Sequence, residues 1–496
     1  MRVAENKQMT FGEMDISAIK FNPKSRDDID KILKGLQYIY CQTESREKLF
    51  SILEKMVPSG INKNNGRPGL ELWKIFVLSI LRLNLDWDYD RLLNMANNHL
   101  IIRQMLGHSD VFDRHEYELQ TLKDNFRLLT PEILNEINTF IVECGHGLVK
   151  KKEKNEQGNI LLKCRGDSFV VKTNVHFPTD INLLFDAMRK VIELTGKLFE
   201  SFEVAGWRQY RYNIKTVKKS YRKAQQSKRS KATNAEEDIK QSHKEYIEFS
   251  ESFLYQAVLS LDLLAKEQDL SLMDKVKIEE IHHYIRHAQR QIKQIDRRVL
   301  KDEIIPNDEK VFSLFEPHTE WIMKGKAGEP VELGIKVGIV EDQYQFILHH
   351  RVMQKETDEQ VAVDMVKKTK EKFPGMNSIS YDKGYYSGKN REELSVILPN
   401  VALPKKGKLS NNDKEIQNSG SYKYAKEKHS AVESAINALD VHGLDKCPDH
   451  GTSGFNRYVA IAIVARNLQR IGAIIHQRDQ KLHEKREKRK RIKLVA

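Results

Sequence analysis

Three carboxylates stand where chemistry could be done. Asp382 ends the stretch SISYD (378–382). There Ile379 and Tyr381 alternate with Ser378 and Ser380, the two-residue period of a half-buried strand. Gly384 follows and permits a tight turn. Taken alone, an aspartate at such a turn reads as a cap. Asp167 lies inside NILLKCRGDSFVVKTNV (159–175), just ahead of Phe169-Val170-Val171, where a carboxylate is costly to bury without a partner. Glu433 sits on a helical pattern, KYAKEKHSAVESAINAL (423–439), beside an apolar stripe of Val432, Ile436 and Leu439. Three carboxylates brought together repel unless cations neutralise them. Hard divalent ions with oxygen ligands are the natural solution, and Mg²⁺ fits best, with Mn²⁺ as a substitute. Two such ions about 3.5–4 Å apart can stabilise both the attacking and the leaving oxygen of a phosphoryl transfer.

The elements that would carry these residues follow from periodicity. Residues 1–150 read as an all-helical N-terminal domain, with helices over 45–57, 71–85, 88–106 and 130–145 and a loop over 58–70. Thr130 and Pro131 mark a helix start. A Lys-rich linker over 150–156 leads to a strand over 159–175. HFPTD then turns the chain, and Thr179 or Asp180 can cap the next helix. A long helical, heavily charged insertion occupies 181–305. From 311 the strand signal returns. Residues 331–342 and 343–354 read as adjacent strands, antiparallel because their connection is too short for a crossover. A helix (358–373), the strand ending at Asp382, a further strand (395–404), a polar loop (405–421) and helices over 423–439 and 456–475 complete the pattern. The alternation predicts an α/β fold, a mixed sheet with helices on both faces, in which 159–180 and 311–475 form one core. Residues 476–496 read as a basic tail that needs no fold of its own, with nine Lys/Arg against three acids over 477–493.

Composition narrows the partners. The chain of 496 residues carries 83 Lys+Arg against 70 Asp+Glu, a formal charge of +13, which points first to a polyanion such as nucleic acid. Cys41, Cys144, Cys164 and Cys447 show no paired spacing, so a reducing compartment is expected. The first residues do not read as a secretion signal, and no apolar run reads as long enough to span a membrane. The expected location is therefore cytoplasmic. Residues 206–235 hold ten Lys/Arg and no acid, interleaved with Trp207, Tyr210, Tyr212 and Tyr221. Basic residues supply phosphate contacts and aromatics can stack on bases. A solvated helical hairpin is the plain alternative. The candidate DNA contacts are Arg208, Arg211, Lys215, Lys218, Lys219, Arg222 and Lys223, with Lys383 beside Asp382 and His429 ahead of Glu433.

Four blocks in order carry a resemblance. RGDSFVVKTNVHFPTD (165–180), SLFEPHTEWIMKGKAGEPVELG (313–334), YDKGYYS (381–387) and HSAVESAINALDVHGLDKC (429–447) resemble the signature blocks of DDE-type transposases of bacterial insertion sequences, the ISNCY group above all. GRPGLELWKIFVLSILRLNLDWDYDRLLNMA (66–96) resembles their helical N-terminal domain, and FNRYVAIAIVARNLQRIG (455–472) their closing helix. The likeness runs from about 60 to 475. It implies an RNase H-like catalytic core and a recombinase acting on double-stranded DNA, at terminal inverted repeats and at a target, in the prokaryotic nucleoid. The catalytic and metal-holding roles then fall on Asp167, Asp382 and Glu433, and two DNA ends require a homodimer or a larger synaptic complex. Some relatives place Tyr and Arg ahead of the glutamate and Lys after it, where this chain has Lys426, His429 and Asp440. Asp180 and Glu316 are rival carboxylates, Asp180 reading as a helix cap. The alternatives are a nuclease on the same fold that cuts without joining, and a DNA-binding derivative without chemistry.

Overall fold

The structure is a computed structural model that describes residues 3–5, 13–57, 69–108, 115–150, 152–230, 233–323 and 330–495. The loop expected over 58–70 lies, as far as residue 68, outside the described residues, as does part of the block at 313–334.

Among the described residues seven α-helices come first: α1 (Asp28–Cys41), α2 (Thr43–Leu53), α3 (Leu72–Asn84), α4 (Tyr89–Asn98), α5 (Leu100–Met105), α6 (Leu119–Phe126) and α7 (Pro131–Leu148). Their ends follow local chemistry. Asp27 and Asp88 cap α1 and α4 by accepting from Ile29 and Arg91 backbone N–H, and Thr130 caps α7 with Pro131 in its first turn. Strand β1 (Leu162–Thr173) follows, then four long helices: α8 (Asp180–Ser201), α9 (Tyr210–Ser227), α10 (Ala235–Glu267) and α11 (Leu272–Ile295). The chain continues through β2 (Glu320–Met323), β3 (Val331–Glu341), β4 (Ile347–Met353), α12 (Asp358–Lys372), β5 (Met376–Ser380), α13 (Gly388–Ile397), β6 (Asn400–Ala402), α14 (Asn411–Asn418), α15 (Gly420–His429), α16 (Ala431–Leu439), β7 (Lys446–Cys447) and α17 (Gly451–Val495). The fold is mixed α/β.

Two compact units divide these elements: residues 1–174 with 322–496, and residues 175–321. The first holds the sheet. Along its path the order is β2-β3-β1-β5-β6, with β4 paired to β3 and β7 to β1. β1 runs antiparallel to β3, with Asp167 opposite Ile339, and β3 antiparallel to β4. β1 runs parallel to β5, with Arg165 beside Ser380, and β5 parallel to β6. The boundary expected near residue 150 does not separate two cores. Leu36, Trp73, Phe76 and Ile141 of the N-terminal helices share one apolar cluster with Ile339 and Val340 of β3 and Val459, Ile463 and Leu468 of α17. Buried amides join the layers: Asn467 accepts from the Ile347 N–H and donates to the Ile347 carbonyl, which also accepts from Asn138 of α7. The second unit has its own core, built from Leu184, Met188, Tyr246, Leu261 and Ile285 among others.

Four expectations are corrected. Residues 395–397 end a helix, because Ser387 caps α13 and β-branched Val396 faces solvent at 88% exposure; only Asn400–Ala402 is strand. The polar stretch 405–421 contains α14, started by a Ser410–Asp413 capping box. The basic tail is not unstructured: α17 runs on to Val495, since its residues after Gly472 lack Gly and Pro and are mostly strong helix formers. Among the described residues one helix, α17, is long and apolar enough to cross a membrane, yet 72% of that apolar window is buried inside the protein.

Helices α1 and α17 approach so closely that only glycine fits. A Cβ added at Gly472 would stand 1.7 Å from the Lys31 carbonyl oxygen, and one at Gly35 would stand 2.3 Å from the Leu468 carbonyl. Both clashes are with backbone, so the helices themselves would have to part. Gly472→Ala is expected to cost about 3 kcal/mol or more, read as a fall in the urea midpoint. Gly147→Ala in α7, where an added Cβ meets nothing within 4 Å, should be neutral or slightly stabilising. Equal midpoints for the two variants would contradict the close approach.

Candidate functional site

The parallel register of β1 and β5 builds the site. Arg165 lies beside Ser380, and two residues further along each strand stand Asp167 and Asp382. Both therefore sit on neighbouring chains at the carboxyl end of β5, where open α/β sheets place their ligands. Asp167 is half-buried and accepts a hydrogen bond at 2.7 Å from the Ser168 backbone N–H. Asp382 is exposed and accepts from the Gly384 N–H at 2.7 Å, so it does cap the turn. Glu433 lies exposed in the first turn of α16, which packs on β1 through its apolar side, with Val432, Ala435 and Leu439 buried.

Electrostatics show that these groups feel one another. Burial pushes the Asp167 carboxyl up to about 6, and the nearby charges of Asp382, Asp358 and Glu433 push the same way. His429 is half-buried at the end of α15, with Nδ1 3.2 Å from the Ser380 hydroxyl. Burial holds its pKa below the usual histidine range against the pull of Asp382 and Glu433. The imidazole is thus neutral at neutral pH, a hydrogen-bonding group and not a cation.

Asp358 was not singled out by the sequence. It opens α12, where an acid reads as an ordinary first-turn residue. Its two oxygens accept from the Ser168 hydroxyl at 2.6 Å and from Lys336 Nζ at 3.0 Å. Ser168 therefore links two carboxylates, holding Asp358 with its hydroxyl and Asp167 with its N–H. Only the fold brings these positions together, so no local signal could have found them.

The floor beneath is aromatic. Tyr381 and Tyr385 stack with centroids 4.2 Å apart, and both are buried. Gly166 makes room for them, since a Cβ there would meet the Tyr381 ring at 2.2 Å. Tyr385 is thereby a packing residue and not an exposed nucleophile. Behind the floor, the buried Arg165 guanidinium donates to Glu341 at 2.6 Å, to the Asp342 carbonyl at 3.1 Å and to the Lys428 carbonyl at 3.3 Å.

Among the described residues, no group of three or more His, Cys, Asp or Glu side chains is gathered tightly enough to hold a metal ion. The donor chemistry nevertheless fits a hard divalent cation: the charges of Asp382, Asp358 and Glu433 all act on Asp167, and Lys336 is bonded to Asp358 alone. The rival carboxylates are engaged elsewhere in their own unit. Asp180 pairs with Arg298 at 2.8 Å while Thr179 caps α8, and Glu316 is buried 3.5 Å from His318.

The basic run is only partly as expected. Arg208, Arg211, Lys215, Lys218, Lys219, Arg222 and Lys223 are all exposed, on α9 or just before it. Lys223 forms an ion pair with Glu245. The interleaved aromatics are not a stacking platform. Trp207, just before the helix, is buried and donates to the Ser260 hydroxyl; Tyr210 is buried, and Tyr221 stacks on Phe185 and donates to Asn182, because these two fall on the apolar side of the helix with Val217 and Ala224. Only Tyr212 stands free, at 65% exposure. Lys383 is exposed beside Asp382. Comparison with protein-family models, with curated proteins and with solved structures finds no match to this chain.

Because the folded protein holds the Asp167 pKa above its unfolded value, ionised Asp167 costs stability above about pH 6, and the cost is relieved as pH falls below it. Asp167→Asn should therefore stabilise the metal-free protein at pH 7.5 by about 1–2 kcal/mol, the shift being discounted for solvent screening. The gain should fade in thermal melts between pH 6 and 4. A variant no more stable at pH 7.5 would refute the cost of ionising Asp167 in the folded protein.

Proposed function

We propose that the chain is a DNA transposase with an RNase H-like catalytic core, working in the prokaryotic cytoplasm on the terminal inverted repeats of its own element. The observation that carries the reading is the convergence of Asp167, Asp382 and Glu433, far apart in sequence, into one electrostatic neighbourhood. The sheet supports it: β1, which carries Asp167, runs antiparallel to β3 and parallel to β5, so the sheet is mixed as the sequence predicts.

Asp167, Asp382 and Glu433 would hold the metal, two Mg²⁺ ions or Mn²⁺ in their place. Those ions would supply a nucleophile at neutral pH and neutralise charge on the oxygens in flight. The chain's own residues do the rest. Ser168 and Asp358 fix the orientation of Asp167. Arg165 fixes the end of α15 and so the approach of α16 with Glu433. Neutral His429 offers a hydrogen bond at the mouth without adding charge. In sequence, water attacks the phosphodiester at the element's end, and the freed 3′-hydroxyl then attacks target DNA. The cations of α9 hold phosphate on their own unit, and Lys383 does so on the sheet unit. With the neighbouring aromatics in the core, α9 binds backbone without reading bases.

The direct test is cleavage of DNA carrying the gene's native flanks with Mg²⁺. Wild-type protein should cut at paired inverted ends and join them to target, and Asp382→Ala and Glu433→Gln should lose activity by at least about a thousandfold while still binding DNA. Cutting without joining would favour the nuclease reading, and binding without cutting the inactive derivative. Separately, changing Lys215, Lys218 and Arg222 together to Gln should weaken repeat and random duplexes by the same factor and reduce the salt slope of binding by about 3. A loss confined to the repeat sequence would mean that α9 reads bases.

A further inference from the structure

The unit 175–321 carries an apolar surface that its own core leaves bare. On α10, Tyr255, Leu259 and Leu263 recur every four residues and so share one face, exposed by 67%, 44% and 55%. Leu272, Met273 and Val276 open α11, exposed by 79%, 66% and 57%. The link between the helices spans only residues 268–271, so Leu259 and Leu263 lie toward the same end of the bundle as the α11 set, with Tyr255 further back along α10. The buried faces of the two helices are supplied by other residues, Leu254, Leu261 and Leu264 on α10 and Ile281 and Ile285 on α11. The exposed set is thus surplus to the core.

The amount decides what it is for. Six side chains exposed to this degree present on the order of 700 Å², against about 300–600 Å² for the largest patch on a typical monomer and about 800 Å² per partner in a standard interface. The polar residues around it carry both signs: Asp262, Lys266, Asp269, Asp274 and Lys277, the last two paired with each other at 3.2 Å. A membrane-facing helix would be rimmed by basic residues. A mixed rim is self-complementary, as a twofold contact between identical surfaces requires.

We propose that the α10–α11 tip is a dimerisation surface whose occupant is the same tip of a second copy of this chain. The contact forms without DNA or metal, so it stands or falls independently of the cleavage chemistry. The test is sedimentation velocity of the full chain, DNA-free, over about 1–100 µM. Wild-type protein should pass from monomer to dimer in that range. The double variants Leu259→Gln with Leu263→Gln, and Leu272→Gln with Met273→Gln, should each shift the transition at least tenfold higher. Because the altered side chains face solvent, circular dichroism and melting temperature should hold. A wild-type protein that stays monomeric overturns the proposal, as does a dimer unaffected by both double variants. Co-sedimentation of monomer with lipid vesicles, lost in the variants, would assign the tip to a membrane and overturn it too.

Discussion

The placement of one buried guanidinium constrains the rest of the site. Arg165 lies on β1 two residues before Asp167, and its charge is matched inside the protein by Glu341 at 2.6 Å. Breaking such a pair leaves an uncompensated charge in the interior, so the two strands carrying it are fixed in register. The remaining N–H groups reach the Asp342 carbonyl at the β3–β4 turn and the Lys428 carbonyl at the end of α15. A single side chain thereby spans the sheet and the helix pair that delivers Glu433. Three pieces of chain, separated by long stretches of sequence, meet at one planar group.

That scaffold supports a deliberate local expense. The charges of Asp382, Asp358 and Glu433 all bear on the half-buried Asp167, and among the described residues Lys336 is bonded to Asp358. The stacked Tyr381 and Tyr385 are buried, with Tyr385 close enough to feel the charges of Asp358 and Asp167. A low-dielectric floor strengthens repulsion among the acids and would equally strengthen their hold on a cation. The stability lost here is the kind that functional sites commonly carry.

Much of this was legible in the sequence, and the limits have physical reasons. β1, β5 and α7 were readable because their periodicity, caps and turn residues agree with their tertiary setting. Asp167 and Asp382 were visible as acids in apolar strands. Residues 395–404 misled because Val396 and Ile397 favour strand in isolation, whereas the Ser387 cap and the packing of Leu394 made a helix. Asp358 was invisible since its importance lies in contacts with Ser168 and Lys336, both distant in sequence. The aromatics of α9 were misjudged because a cationic stripe and an apolar stripe interleave in the linear string and separate only on the helix.

The closing of α17 against α1 has a consequence for the order in which the protein can be made. Lys31 and Gly35 emerge early from the ribosome, but Leu468 and Gly472, which complete their packing, emerge only hundreds of residues later. β1 likewise waits for β5. Residues 175–321, by contrast, form a contiguous unit with its own core. During translation that unit can fold first, while the N-terminal helices wait with Trp73 and Phe76 uncovered. The sheet is then assembled late, from pieces of high sequence separation, which marks it as the slow-folding half of the molecule.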